Sequence, residues 1–272
     1  MPLYPAAASE APVAKPERSG SWANGENPIK ASISDAVDED AREVPAKTSA
    51  AVGTWTFDSH VARRFAREAA CHIPDYESVI EASVGAIELS WVPGTGPPGA
   101  TGLPGASACA RFKHSLAVLE VGCAIGYTMQ VLLRRGFTHV FGVDSSADML
   151  DACAHNLRSA GYDSEATLHL TCDSHMPQPS FFRGVPLGAV IANWTLHFIA
   201  DPALRADYLR SIHEALVPGG CLILTDKTQQ SAAVRSMYHA WKQKEPRNLS
   251  AEEVSAKELS LVGVLEPLPF QW

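Results

Sequence analysis

The stretch Leu119-Glu120-Val121-Gly122-Cys123-Ala124-Ile125-Gly126-Tyr127 decides how the rest of the chain is read. An apolar run from Leu116 to Val121 leads into a turn with two glycines, and a helical pattern follows from Tyr127. A strand, a tight turn and a helix N-terminus in that order cradle a nucleotide-like ligand, because the backbone N–H groups at the helix start point at it. Gly122 and Gly126 let the backbone come closer to such a ligand than side chains would allow. The spacing is G-x-x-x-G rather than G-x-G-x-x-G, and Glu120 stands two residues before the first glycine. A carboxylate there repels a pyrophosphate and suits an ammonium group. Asp144 closes the next strand, where an acid accepts hydrogen bonds from ribose hydroxyls. The turn therefore favours an adenosyl ligand that carries an amino acid over a dinucleotide.

Working outward, strands and helices alternate. Strands are expected over 116–121, 139–143, 167–171, 187–192 and 221–225. The helices between them run over 127–135, from Ser146 to near Gly161, and from Pro202 to Leu216, with Gly136 suited to a left-handed cap. Pro218-Gly219-Gly220 reads as the turn before the last strand. This order predicts an α/β fold, a doubly wound Rossmann-like parallel sheet with right-handed crossovers. Ahead of it, Asp58 or Ser59 caps one helix through Val61, Phe65, Ala69 and Ala70. Pro74-Asp75 opens a second, with Val79, Ile80, Ala82, Val84, Ile87 and Leu89 as its apolar set. Two more helices are expected over 231–244 and 250–262.

The organisation read this way is a disordered tail over 1–53, a helical lid over 54–92, a Gly/Pro-rich linker over 93–114, a ligand-binding core over 115–227 and a C-terminal helical segment over 228–272. About 45 residues follow Lys227, too few for two long helices and a strand hairpin. A C-terminal hairpin is therefore expected to be missing, which leaves the last strand as an edge open to a second copy, a homodimer.

The chain has 272 residues, 46% hydrophobic, with 22 basic and 30 acidic side chains and a net charge of −8. No basic cluster marks a nucleic-acid groove, so a small-molecule substrate is expected. The six cysteines include no C-x-x-C pair and predict neither disulfides nor a metal site. No apolar run reaches the roughly 20 residues of a membrane-spanning helix. Met1-Pro2-Leu3-Tyr4-Pro5 does not begin a secretory signal, and Glu10, Glu17, Glu26 and Asp38-Glu39-Asp40 argue against a transit peptide. The expectation is a cytoplasmic protein without a membrane partner.

Glu120-x-Gly122-x-x-x-Gly126 resembles the first motif of the class I S-adenosylmethionine-dependent methyltransferases, and Val143-Asp144-Ser145 resembles their second. Asn193-Trp194-Thr195-Leu196-His197-Phe198 and Leu216-Val217-Pro218-Gly219-Gly220 resemble their segments after strand 4 and before strand 5. A closer resemblance, to the carboxy-S-adenosylmethionine synthase subgroup, is carried by Phe57-Asp58-x-x-Val61-Ala62, Ile73-Pro74-x-Tyr76 and Leu224-Thr225-Asp226-Lys227. The resemblance implies S-adenosylmethionine as cofactor. It assigns to its contacts Tyr76 as part of the lid, Gly122, Cys123, Ala124, Asp144, Ser145, Asp173 at the adenine amino group, Ser174, and Asn193 near the sulfonium. That subgroup makes a carboxylated cofactor for tRNA wobble modification and holds the added carboxylate with an arginine after a lysine. Here Glu258 follows Lys257, and a carboxylate cannot replace a guanidinium fork, so ordinary methyl transfer is favoured.

The remaining candidates keep two readings. Met149 packs on an adenine face or in the core. Cys123 is small and inert, since Glu120 supplies no electropositive setting for a thiolate. His197 is the candidate catalytic base, against a satisfied structural histidine. Tyr238, His239 and Trp241 line a substrate pocket, or the two aromatics face the core of an amphipathic helix. Lys242 to Lys244 and Arg247 read as a solvated helix end. The rivals to a methyltransferase are the carboxylated-cofactor synthase and a truncated, catalytically silent cofactor-binding scaffold.

Overall fold

The computed structural model describes residues 52–53, 55–90, 112–162, 165–171 and 175–269. Five parallel strands, β1 (Ala117–Val121), β2 (Val140–Asp144), β3 (Ala166–Leu170), β4 (Leu187–Asn193) and β5 (Leu216–Thr225), form one sheet in the order β3-β2-β1-β4-β5. Strand order reverses between β1 and β4, and in such sheets the crevice at the carboxyl ends of those two strands takes the ligand. Side chains of β1 alternate: Val118 faces one core cluster, while Ala117, Leu119 and Val121 face the other. By the same alternation Glu120 falls on the face of Val118.

Helices α1 (Ser59–His72) and α2 (Tyr76–Ser90) precede the sheet. Asp58 is the cap of α1, accepting the Val61 N–H at 2.9 Å. Of the two helices expected to form a lid, α2 is part of the core: Ile80, Val84 and Ile87 are fully buried against α3 (Tyr127–Arg134) and the sheet. The apolar set expected on α2 is corrected at two positions, because Ala82 and Leu89 are exposed and Ser83 is buried. Helix α1 lies over the glycine turn, where Ala62, Val61 and Phe65 meet Ile125 and Met149. Packing of the main core begins at Phe112, whose buried ring meets Phe137 edge-on. The tail and almost all of the linker lie outside the described residues.

The crossovers are α3, α4 (Ala147–Ser159, capped by Ser146) and α5 (Pro202–Ala215, capped by Asp201). Strand β5 starts five residues earlier than its sequence pattern suggests. Leu216 pairs with Leu187, and the register then jumps so that Cys221 pairs with Ala189. Pro218-Gly219-Gly220 is thus a bulge inside the strand, with Gly219 at φ 82° and Gly220 too close to the Val217 and Gly188 carbonyls for a Cβ. Beyond β5 come α6 (Ala232–Gln243) and α7 (Ala251–Ser260), the latter with a Ser250/Glu253 capping box. Among the described residues no strand follows β5, only an isolated bridge between Thr228 and Leu268.

Candidate active site

A cavity of about 1110 Å³ opens at the carboxyl ends of β1, β2, β4 and β5 under α1. Its floor is the turn between β1 and α3. Gly122 and Gly126 take φ of 68° and 84°, and Ala124 between them takes 45°. The N–H groups of Gly122 and Cys123 both donate to the Val143 carbonyl, at 2.8 and 3.0 Å. Asp144 completes the clamp: Oδ2 accepts the Ala124 N–H and Oδ1 the Ser146 N–H, each at 2.9 Å. The acid that closes β2 thus fixes the turn from below while it lines the cavity.

Glu120 is buried, and its Oε2 has no hydrogen-bond partner among the described residues. Burial pushes its carboxyl up to about 8, and the charge of Asp144 adds to this; bonds from the Thr128 hydroxyl and the Met129 N–H pull the other way. Asn193, at the end of β4, has its Oδ1 within hydrogen-bond distance of the Ser83 hydroxyl, at 3.3 Å, which also lies 2.9 Å from the Val79 carbonyl, and its buried Nδ2 is without a partner among the described residues. Such orphaned groups cost folding energy unless a ligand satisfies them. Tyr76 packs between Trp194 and Tyr127, with ring centroids 5.1 and 6.0 Å away. Burial, then the Glu120 charge, holds its hydroxyl protonated well above the usual range.

The structure therefore gathers Tyr76, Glu120, Gly122, Cys123, Ala124, Asp144, Ser145, Met149 and Asn193 around one cavity. Gly126 sits behind the wall, where it makes room for the Cys153 sulfur. Asp173 and Ser174 lie outside the described residues. Met149 is 1% exposed and packs in the core against α1, and it also lines the cavity. Cys71, Cys123, Cys153 and Cys221 are free thiols, and the neighbouring Cys153 together with burial holds Cys123 protonated.

His197 is buried in the wall with its Nδ1 against the Asp226 carboxylate, which also accepts the His197 N–H at 3.1 Å and the Lys227 N–H at 2.8 Å. Asp226 does not stand out in the sequence as a site residue; its signal is an acid at the carboxyl end of the apolar run Leu222-Ile223-Leu224. Trp194, at φ 53°, and Thr195 join the wall without a sequence signal of their own. On α6, Tyr238 lines the cavity, whereas His239 is bound to Glu258 at 2.6 Å and Trp241 stacks on Tyr238 under the Arg247 guanidinium. The aromatic core face fails as a reading, because neither Tyr238 nor Trp241 is buried. The solvated helix end is corrected too: Lys242 is the one buried residue of α6. Glu258 pairs with Arg235 as well, at 2.6 Å.

The methyltransferase-domain family matches residues 118–220. The carboxy-S-adenosyl-L-methionine synthase of Pseudomonas aeruginosa (strain UCBPP-PA14) is 31% identical over 173 residues, 60% of this chain and 68% of that protein. That of Trichodesmium erythraeum is 29% identical over 166 residues, 58% of this chain and 62% of the relative's length. Among solved structures, an S-adenosylmethionine-bound amino pentose methyltransferase of Micromonospora echinaspora matches at 20% identity and a TM-score of 0.40, over 62% of this chain and 56% of that one. The chain belongs to the class I S-adenosylmethionine-dependent methyltransferase family. Both of these bacterial relatives carry the name carboxy-S-adenosyl-L-methionine synthase, and the match with the Trichodesmium protein spans less than two thirds of its length.

Proposed function

We propose that this chain is a methyltransferase that uses S-adenosylmethionine and acts on a small-molecule acceptor. The observation that carries this reading is the pair of unpartnered buried groups, Glu120 Oε2 and Asn193 Nδ2, at the carboxyl ends of β1 and β4. The residues present fit the cofactor. Glu120 offers an acceptor to its ammonium group, Asp144 to the ribose hydroxyls and Met149 an apolar contact to the adenine. Tyr76 and Trp194 present ring faces that attract a sulfonium. Bound there, S-adenosylmethionine supplies an electrophilic methyl group. The protein's own part is alignment and exclusion of water, which the lid helix α1 and the aromatic wall provide. His197 holds the acceptor's proton on Nε2, with Asp226 fixing its tautomer through Nδ1.

Isothermal titration with S-adenosylmethionine, followed by a methyl-transfer assay on cell metabolites, tests the reading. Absence of binding overturns it, and binding without turnover would point to a silent scaffold. His197→Gln is expected to lower kcat by roughly 10²–10⁴-fold with little change in cofactor affinity. A separate result concerns Glu120, whose carboxyl keeps its proton up to about 8 without the cofactor. An ammonium beside it favours the ionised form, so binding at a pH of about 6.5 should release close to one proton. Titration in buffers of different ionisation heat measures this, and Glu120→Gln should abolish the release.

The names of the bacterial relatives favour a second reading, carboxy-transfer. Glu258 in place of the expected arginine speaks against it, although Arg235 beside Glu258 brings a guanidinium to the same wall. Mass spectrometry of ligand retained on purification separates the two, since only the second predicts a carboxylated adduct.

A further inference from the structure

The wall formed by α1, α6, α7 and the residues after β5 carries more positive charge than its carboxylates absorb. Glu68 is engaged by Arg64 at 2.8 Å, Lys257 at 3.2 Å and His72 at 3.4 Å. Glu258 is engaged by Arg235 and His239, and Asp226 by His197. Lys227 and Lys242 also line this wall, and among the described residues neither has a carboxylate within ion-pair distance. Lys242 is only 3% exposed, with its ammonium 4.2 Å from the Tyr238 ring centroid. The Tyr238 hydroxyl donates to the His72 carbonyl, which joins these three residues into one patch. His72 leaves its buried Nδ1 without a partner among the described residues. Burial, aided by Lys227 and Lys257 and opposed by Glu258 and Glu68, lowers the Lys242 ammonium to about 8.

A buried, unpaired cation is expensive, and the Tyr238 ring face offsets only part of that cost. An unpartnered ammonium in the wall of a cavity, with a second ammonium, that of Lys227, in the same wall, is what an incoming anion would satisfy. We infer that this wall is an anion subsite in which Lys242, with Lys227, receives a carboxylate or phosphate group of the methyl acceptor. The inference rests on the methyl-transfer reading of the same cavity and adds the chemical class of the substrate. A uniformly apolar acceptor would leave Lys242 unpaired and is selected against.

The test is isothermal titration of the full chain with inorganic phosphate and, separately, with malonate, at a pH of about 7 and fixed ionic strength, with and without S-adenosylmethionine. Wild-type protein is expected to bind at least one of the two in the millimolar range, and the tighter one identifies the group. Lys242→Met should weaken that binding about tenfold or more, while Lys242→Arg stays within about threefold. Lys227→Met provides the same comparison if Lys242→Met does not fold. No binding of either anion by wild type, or binding that survives both methionine substitutions, overturns the subsite. Failure of the cofactor to bind while the anion still does would reject the methyl-transfer reading alone. Cofactor binding without anion binding would reject the subsite alone.

Discussion

Gly122→Ala is expected to cost the protein at least about 100-fold in S-adenosylmethionine affinity, roughly 2.7 kcal/mol. Gly122 has φ 68°, and a Cβ there would lie 2.5 Å from the Thr195 Oγ1 and 2.7 Å from its Cγ2. Thr195 cannot easily yield, because its hydroxyl lies within hydrogen-bond distance of both the Val121 and the Asn193 carbonyls, at 2.9 and 3.0 Å. Alanine in the left-handed region costs about 1 kcal/mol before any clash is counted. The turn must therefore move, and it carries Ala124 away from Asp144. Gly136 supplies the control: its φ is 88°, yet a Cβ added there would meet nothing within 4 Å. Gly136→Ala should lose stability by about 1 kcal/mol and keep its cofactor affinity. The double variant with Thr195→Ala, which removes the two nearest atoms, should recover part of the loss. Equal losses in the Gly122 and Gly136 variants would show that strain alone, and not the close approach, governs the turn.

Asp144→Ala is expected to weaken the cofactor about 10²–10³-fold, for two reasons acting together. It removes the acid available to the ribose. It also leaves the Ala124 and Ser146 N–H groups without the carboxylate that fixes them, each worth about 1–3 kcal/mol when buried and unpaired. Asp144→Asn should fall between, since its amide oxygen replaces one acceptor and its NH₂ faces the other N–H. Hydrogen exchange separates the two causes. The Ala124 amide should exchange faster in Asp144→Ala even without cofactor, and unchanged exchange with lost affinity would assign the whole effect to the ribose contact.

The strand–turn–helix order, the five strands and the caps at Asp58, Ser146, Ser231 and Ser250 are legible in the sequence because each rests on local chemistry: apolar runs, capping side chains, glycines with positive φ. Cavity-lining positions at the ends of β1, β2 and β4 are legible for the same reason, since a parallel sheet places strand ends together whatever the side chains are. The early start of β5 is not, because it depends on Leu216 finding Leu187 across the sheet, a pairing that no window of sequence contains. The burial of α2 is only half legible. Its period marks a face, and what covers that face is set by α3, which begins only at Tyr127.

By itself, then, the sequence determined a doubly wound sheet with a glycine turn that suits an adenosyl ligand carrying an amino acid, together with the acids at the ends of its first two strands. The tertiary structure decided how those acids are paired and buried and which cations are left over. Glu120 becomes an orphaned, proton-holding carboxyl only once Tyr76 and Thr128 close around it. Lys242 reads as one of several helix-end lysines until α1 and α7 bring Glu68 and Glu258 nearby already paired to others. Charge and burial are long-range properties: they depend on which groups share a low-dielectric wall, and that is settled by packing between elements far apart in the chain.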